Sequence, residues 1–196
     1  MVFKNTKFKE LLKKIWYFVW EDKSIWSWIV NLILAFIIVY FVIYPGLGLL
    51  FGTALPVVAV VSESIEHNGL SFDEFYQKQA SFYEGNNIKK EDFREFTFKN
   101  GFNKGDIMVL FKADTEKIKI GAVIVYHASY RDPVIHRVVK ISIENEGNYY
   151  MTKGDNVPEV QNFEKRIYEK DLLGRAVLRI PYLGWVKIGF MALFRR

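Results

Sequence analysis

The stretch PVVAVVSESIEH, residues 56–67, ends a valine-rich run with two hydroxyls bracketing an acid, Ser62, Glu63 and Ser64. Further along stand His136, inside VIHRVV, and Asp155, inside TKGDN. A serine, a histidine and a carboxylate can together attack an acyl carbon. The hydroxyl is the nucleophile, the imidazole takes its proton, and the carboxylate orients the ring. A further hydroxyl or backbone N–H then holds the oxyanion. Most chains contain all three residue types, so their presence alone decides little. His67 follows Ser64 by three residues and needs a tight loop to reach back. His127 ends an apolar segment near a predicted turn. His136 alternates with Val134 and Val138 on one face of a predicted strand. Taken alone, such a histidine is more often a hydrogen-bonded core residue than a base. Asp155 alone reads as a turn residue bonded to its own backbone.

Other chemistries are poorly supplied. There is no cysteine, which excludes disulfides, thiolate metal sites and a cysteine nucleophile. Three histidines without cysteine argue against a zinc site, and nothing in the sequence calls for a cofactor. GLGLLFG, residues 46–52, lacks the Lys-Ser/Thr pair of a phosphate-binding loop. The net charge of +5 is mild, and no basic stripe with interleaved aromatics lies in the polar part of the chain, which argues against a nucleic-acid partner.

The elements that must carry these residues begin with an anchor. Residues 1–23 read as a basic amphipathic helix: Phe8, Leu11, Leu12, Ile15, Trp16 and Val19 recur at helical spacing, opposite Lys4, Lys7, Lys9, Lys13 and Lys14. Such a helix lies in the headgroup region of a bilayer. From Ser24 to Ser62 no side chain is charged, and Trp26 to Tyr44 is nearly all apolar. That stretch spans roughly 28 Å as a helix, close to the hydrocarbon thickness, with Trp26, Trp28, Tyr40 and Tyr44 near its ends. Residues 24–52 are therefore predicted to form a single transmembrane anchor in the cell membrane. Pro45, Gly46, Gly48 and Gly52 are predicted to break it. The lysines before it put the N-terminus in the cytoplasm and the chain beyond the anchor outside.

Residues 53–181 are predicted to form the extracytoplasmic domain, with a helical insert over 70–98. Ser71 and Glu74 make a capping-box signature, and Gly85-Asn86-Asn87 ends that helix before a shorter one at IKKEDFREF. After Phe98 the pattern turns to strands: 107–112, 118–126, 134–143, 149–152 and 174–180, separated by Gly, Asn, Asp and Pro turns at 103–106, 131–133, 145–148 and 153–156. Short strands at this spacing indicate an antiparallel sheet that curls on itself, so the fold class is mainly β. Residues 182–196 are apolar, too short to span, and are predicted to sit at the membrane interface.

Several of these stretches resemble one family. Ser62-Glu63-Ser64-Ile65-Glu66 resembles the Ser-Gly-Ser-Met-Glu-Pro box of type I signal peptidases. Lys104-Gly105-Asp106-Ile107-Met108-Val109 resembles the second box, Val134-Ile135-His136-Arg137-Val138 the third, and Thr152-Lys153-Gly154-Asp155-Asn156 the fourth. Gly174-Arg175 and Ile180-Pro181-Tyr182-Leu183-Gly184 resemble the last strand and its turn. Order and spacing agree over roughly residues 26–186. His136 stands where bacterial members have lysine, which is the pattern of the archaeal and endoplasmic-reticulum branch. The resemblance implies the signal-peptidase fold with Ser64 as nucleophile, His136 as general base and an Asp as its partner, with Ser62 a candidate oxyanion donor. Glu63 in place of Gly, Ile65 in place of Met and His67 in place of Pro depart from the pattern. The family's second Asp, six residues after that of Gly-Asp-Asn, is Gln161 here. Asp155 is then the expected partner of His136, with Glu159 as substitute.

The resemblance also implies the substrate: preproteins with signal peptides, cut after Ala-x-Ala, their extended segment pairing with the edge of residues 57–61. Val58, Val60 and Ile65 are the candidate substrate-binding residues. Accessory subunits are not specified by the sequence. Glu63 and Gln161 leave open an impaired or non-catalytic membrane protein of the same fold that binds signal peptides or partners.

Overall fold

Ser24 starts the apolar helix. Its hydroxyl accepts the N–H of Ser27 at 3.2 Å, and its own N–H and Oγ–H both reach Asp22 at 2.9 Å. The computed structural model describes residues 3–128, 132–144 and 147–194. The turns read at 131–133 and 145–148 fall partly outside these residues, and Arg195-Arg196 wholly so. The chain forms two compact units, one up to Leu47 and one from Gly48 onward.

In the first unit, helix α1 (Phe3–Trp20) meets the start of helix α2 (Ile25–Ile38). Ser27 Oγ–H donates to Phe18 O at 2.5 Å, and Asn31 Nδ2–H donates to Val19 O at 2.8 Å. Both satisfy carbonyls that the end of α1 leaves unpaired, which gives Asn31 a use inside an apolar stretch. The helix does not break at Pro45 as predicted. It runs on through a π turn (Val39–Ile43) into α3 (Tyr44–Phe51). Pro45 lacks an N–H and its ring crowds the carbonyl four residues back, and the wider π turn just before it makes room. The run ends at Gly52, whose φ of 66° is left-handed and costs glycine little. Ile25–Phe51 is one helix of 27 residues, long and apolar enough to cross a membrane.

The second unit is built on one curled antiparallel sheet: β1 (Val57–Ala59), β2 (Ile107–Phe111), β3 (Val123–Tyr126), β4 (Val134–Glu144), β5 (Gly147–Lys153), β6 (Ile167–Tyr168) and β7 (Leu172–Ile180). Its seven strands lie in the order β1-β2-β7-β3-β4-β5-β6, so β1 is an open edge. The strand predicted over 118–126 is confined to β3. Gly121, at φ 88°, turns the chain beneath Phe96, where a Cβ would run into the ring. The two-residue strand β6 is too short to leave an alternating pattern in the sequence.

Both sheet faces are covered, because alternate side chains point opposite ways. Val123 and Val125 join Val60, Ile65, Phe102, Met108 and Leu110 in one core. Ile124 and Tyr126 join Val138, Tyr150 and Ile167 in another. The insert forms helices α4 (Phe72–Gly85) and α5 (Lys90–Arg94), and the capping box at Ser71 and Glu74 is present. Phe75, Tyr76, Tyr83, Ile88 and Phe93 form the insert's own core, closed by Val139 of β4. Helix α6 (Trp185–Phe194) follows β7.

Candidate active site

Ser64 sits on the loop after β1, and the motif stretches converge to hold that loop. The N–H of Gly105 donates to Val60 O at 2.9 Å, and that of Lys104 to Glu66 Oε1 at 2.6 Å. On the other side Asn156 N–H donates to Ser64 O at 2.8 Å and Asn156 Nδ2–H to Glu63 O at 3.1 Å. Gly154 makes the close approach possible. A Cβ there would stand 2.7 Å from Ser64 O and 3.1 Å from both Ser64 Cβ and His136 Nε2. Glu63 is not among the described residues with left-handed backbone, so its side chain brings no strain of that kind.

His136 enters from β4, opposite Ile124 of β3. Its Nε2 lies 2.9 Å from Ser64 Oγ, and its Nδ1 lies 2.5 Å from Glu164 Oε1. With Nδ1–H donated to the carboxylate, Nε2 carries a lone pair facing the serine hydroxyl. Glu164 is fully buried and ends a short 3₁₀ turn (Asn162–Glu164). Its Oε2 accepts the N–H of Gln161 at 2.7 Å, which fixes the carboxylate's orientation. Ser62 Oγ stands 3.1 Å from Ser64 Oγ on the exposed side of the loop.

Asp155 is committed elsewhere. Arg137 donates Nε–H to its Oδ1 at 2.9 Å and Nη2–H to its Oδ2 at 2.7 Å. Tyr83 O–H reaches Oδ1 at 3.2 Å, and His67 Nε2 reaches Oδ2 at 3.1 Å. Burial alone pushes the Asp155 carboxyl up, but the Arg137 charge and the bonds from His67 and Arg137 hold it well below the usual carboxylate range. Arg137 spends its remaining donors on Thr97 O, Gly121 O and Phe98 O, at 2.8, 3.0 and 2.9 Å. The ion pair therefore ties the end of the insert to the strand that carries His136 and to the loop beside Ser64. Lys153 is buried between β5 and α4. It donates to Gln79 Oε1 at 3.2 Å and to Gly154 O at 3.1 Å. Burial lowers its ammonium to about 8.

No family model matches the chain. It is 34% identical over 97 residues to the signal peptidase complex catalytic subunit SEC11C of Homo sapiens, covering 44% of this chain and 49% of that one. It is 28% identical over 155 residues to the signal peptidase complex catalytic subunit SEC11 of Scheffersomyces stipitis, covering 76% and 73%. A third relative, the SEC11 subunit of Candida tropicalis, is 31% identical over 94 residues, 44% of this chain and 56% of that one. The chain is type I signal peptidase-like. It spans about half the length of the first curated relatives it matches.

Three of the residues singled out in the sequence, Ser62, Ser64 and His136, come together, and the others have different surroundings. Asp155 bonds Arg137, His67 and Tyr83, and the carboxylate on His136 is Glu164. Val60 and Ile65, expected to bind substrate, are 2% and 1% exposed and belong to the core. Val58 is half-buried and packs on the same core. Glu159 is exposed, and Gln161 serves through its backbone N–H. A signal for Glu164 exists in the sequence: Gln161 with Glu164 three residues later has the spacing of a capping box. Glutamine is an uncommon first member, which makes the pattern inconspicuous.

Proposed function

We propose that the chain is a membrane-bound serine endopeptidase that removes signal peptides from exported preproteins. The observation that carries this reading is the unbroken line Ser64 Oγ, His136 Nε2, His136 Nδ1, Glu164 Oε1, with contacts of 2.9 and 2.5 Å. Ser64 attacks the scissile carbonyl while His136 takes its proton at Nε2. Glu164 holds the ring in the required tautomer and stabilises the imidazolium. The Ser62 hydroxyl and the backbone N–H of Ser64 face the developing oxyanion. His136 then gives the proton to the leaving amine. Water, activated by the same imidazole, hydrolyses the acyl-enzyme.

The open edge of β1 suits an extended cleavage segment, whose backbone can pair with Val57–Ala59. The Ile25–Phe51 helix suits a single membrane span with the N-terminus in the cytoplasm. On this reading the site works on the outer side, where signal peptides end, and tethering raises the effective concentration of substrate. Helices α1 and α6 present exposed apolar side chains, Trp16, Trp20, Phe190 and Leu193 among them, in keeping with interfacial segments. The relatives are named as subunits of a signal peptidase complex, and partner subunits are part of this proposal.

The test is cleavage of a preprotein bearing Ala-x-Ala by the purified full chain in detergent. Wild type is expected to cut after the second Ala. Ser64→Ala and His136→Ala are expected to abolish cutting while membrane insertion persists. Cleavage by Ser64→Ala sinks the nucleophile assignment, and binding without turnover by wild type favours a non-catalytic chain. Protease added outside spheroplasts should reach the sheet unit, and protection there overturns the topology.

A further inference from the structure

A cleft of about 560 Å³ opens between helix α4 and the two loops that hold Ser64. His67 and Leu70, from the loop on the C-terminal side of Ser64, form one wall. Asn156 and Glu159, from the loop after β5, form a second, and α4 supplies Phe75 and Phe82. The walls are fixed. Asn156 is bonded to Ser64 O at 2.8 Å and, through its Oδ1, to Asn68 Nδ2 at 2.9 Å. His67, 5% exposed, is clamped between Asp155 at 3.1 Å and the ring of Phe75, with centroids 3.5 Å apart. Among the described residues the lining includes none of β1.

That division gives the cleft a direction. An extended polypeptide paired with the β1 edge brings a carbonyl to Ser64 by way of residues 60–62. The polypeptide beyond that carbonyl has to leave along the other side of the loop, past Asn156. We propose that the cleft binds the residues on the C-terminal side of the cut. Its occupant is an extended peptide segment of roughly two to four residues at ~3.3 Å each. One apolar side chain of that segment rests on Leu70 and Phe82, and its backbone lies beside Asn156. The inference rests on the peptidase reading for its orientation. It makes the helical insert part of substrate recognition, because α4 is the cleft's roof.

Ser81 is exposed on α4 and lines the cleft, so Ser81→Trp fills it without entering the core. The probes are two peptides from an Ala-x-Ala substrate, one spanning the cut by four residues on each side and one ending at the cut. They are titrated against the full-length Ser64→Ala protein in detergent. The spanning peptide is expected to bind at least about tenfold tighter. Adding Ser81→Trp is expected to remove that preference and leave the truncated peptide's Kd unchanged, whereas Ser81→Ala keeps it. Equal affinity for the two peptides, no binding of the spanning peptide, or an equal loss for both with Ser81→Trp overturns the proposal. Turnover by wild type is measured separately. A wild type without turnover, together with a Ser81-sensitive preference for the spanning peptide, removes the peptidase and keeps the cleft.

Discussion

His136 Nδ1 and Glu164 Oε1 meet at 2.5 Å, with the ring 7% exposed and the carboxylate fully buried. The other carboxylate oxygen is already held by the N–H of Gln161. Glu164→Gln keeps the shape and removes the charge, and its amide can present an N–H where the imidazole needs an acceptor. It is expected to lower kcat for preprotein cleavage by about 10²–10⁴. KM and peptide binding are expected to change little. Stopped cleavage assays over a substrate series check this. A Glu164→Gln enzyme with wild-type kcat removes Glu164 from the mechanism.

Asp155→Asn is expected to act differently. The substitution leaves Arg137 buried without the charge of its partner, at a cost of about 3–5 kcal/mol. Thermal unfolding monitored by circular dichroism should show the loss as a lower Tm. The pH dependence has a definite sign. The folded Asp155 carboxyl lies below the usual range, so its contribution is complete above the unfolded value of about 3.9 and is lost as pH falls through and below it. The stability gap between wild type and Asp155→Asn should therefore narrow below about pH 4. A gap that stays constant down to pH 2 counts against the ion pair as its source.

These two carboxylates also show what was legible in the sequence. Ser64 and His136 stand out through the ordered motifs of the family resemblance, whereas alternation alone gives only the face of β4 that His136 occupies. The capping box at Ser71 was legible because it is local. Glu164 is marked only by the inconspicuous Gln161–Glu164 spacing, because the 3₁₀ turn that brings it under His136 leaves no periodic pattern. Asp155 was the nearer carboxylate in sequence. Its partner is Arg137, and a buried arginine beside a histidine reads in sequence as an ordinary polar position on a strand. Val60 and Ile65 resemble pocket residues in sequence because they flank Ser64. Both lie under the loop, where the sheet curls over its own core. Pro45 reads as a helix stop, and the π turn that accommodates it has no signature of its own.

Gly154→Ala tests the packing of the site. The added methyl would stand 2.7 Å from Ser64 O and 3.1 Å from His136 Nε2, so one of the two must move. A displacement of about 1 Å in a catalytic pair costs on the order of 10² in rate. The expected outcome is a kcat reduced by about that factor with peptide binding retained. Activity close to wild type would mean that the loop after β5 can retreat without disturbing Ser64.

Lys153 supplies the last prediction. Its ammonium is buried against Phe82 and Tyr83, with centroid distances of 4.9 and 5.4 Å, and titrates at about 8. The unfolded chain holds that proton up to about pH 10.4. Between the two values the unfolded state binds more protons than the folded one, so stability rises with pH in that window. Below pH 8 the folded protein carries the full cost of the buried charge, roughly 3 kcal/mol from a shift of this size. Lys153→Met keeps the volume and drops the charge. The variant is expected to be more stable than wild type at pH 7, and the difference should shrink steadily as pH rises from about 8 to 10. Urea unfolding midpoints at pH 7, 8, 9 and 10 measure it. Parallel pH profiles for the two proteins would place the lysine's proton outside the folding equilibrium.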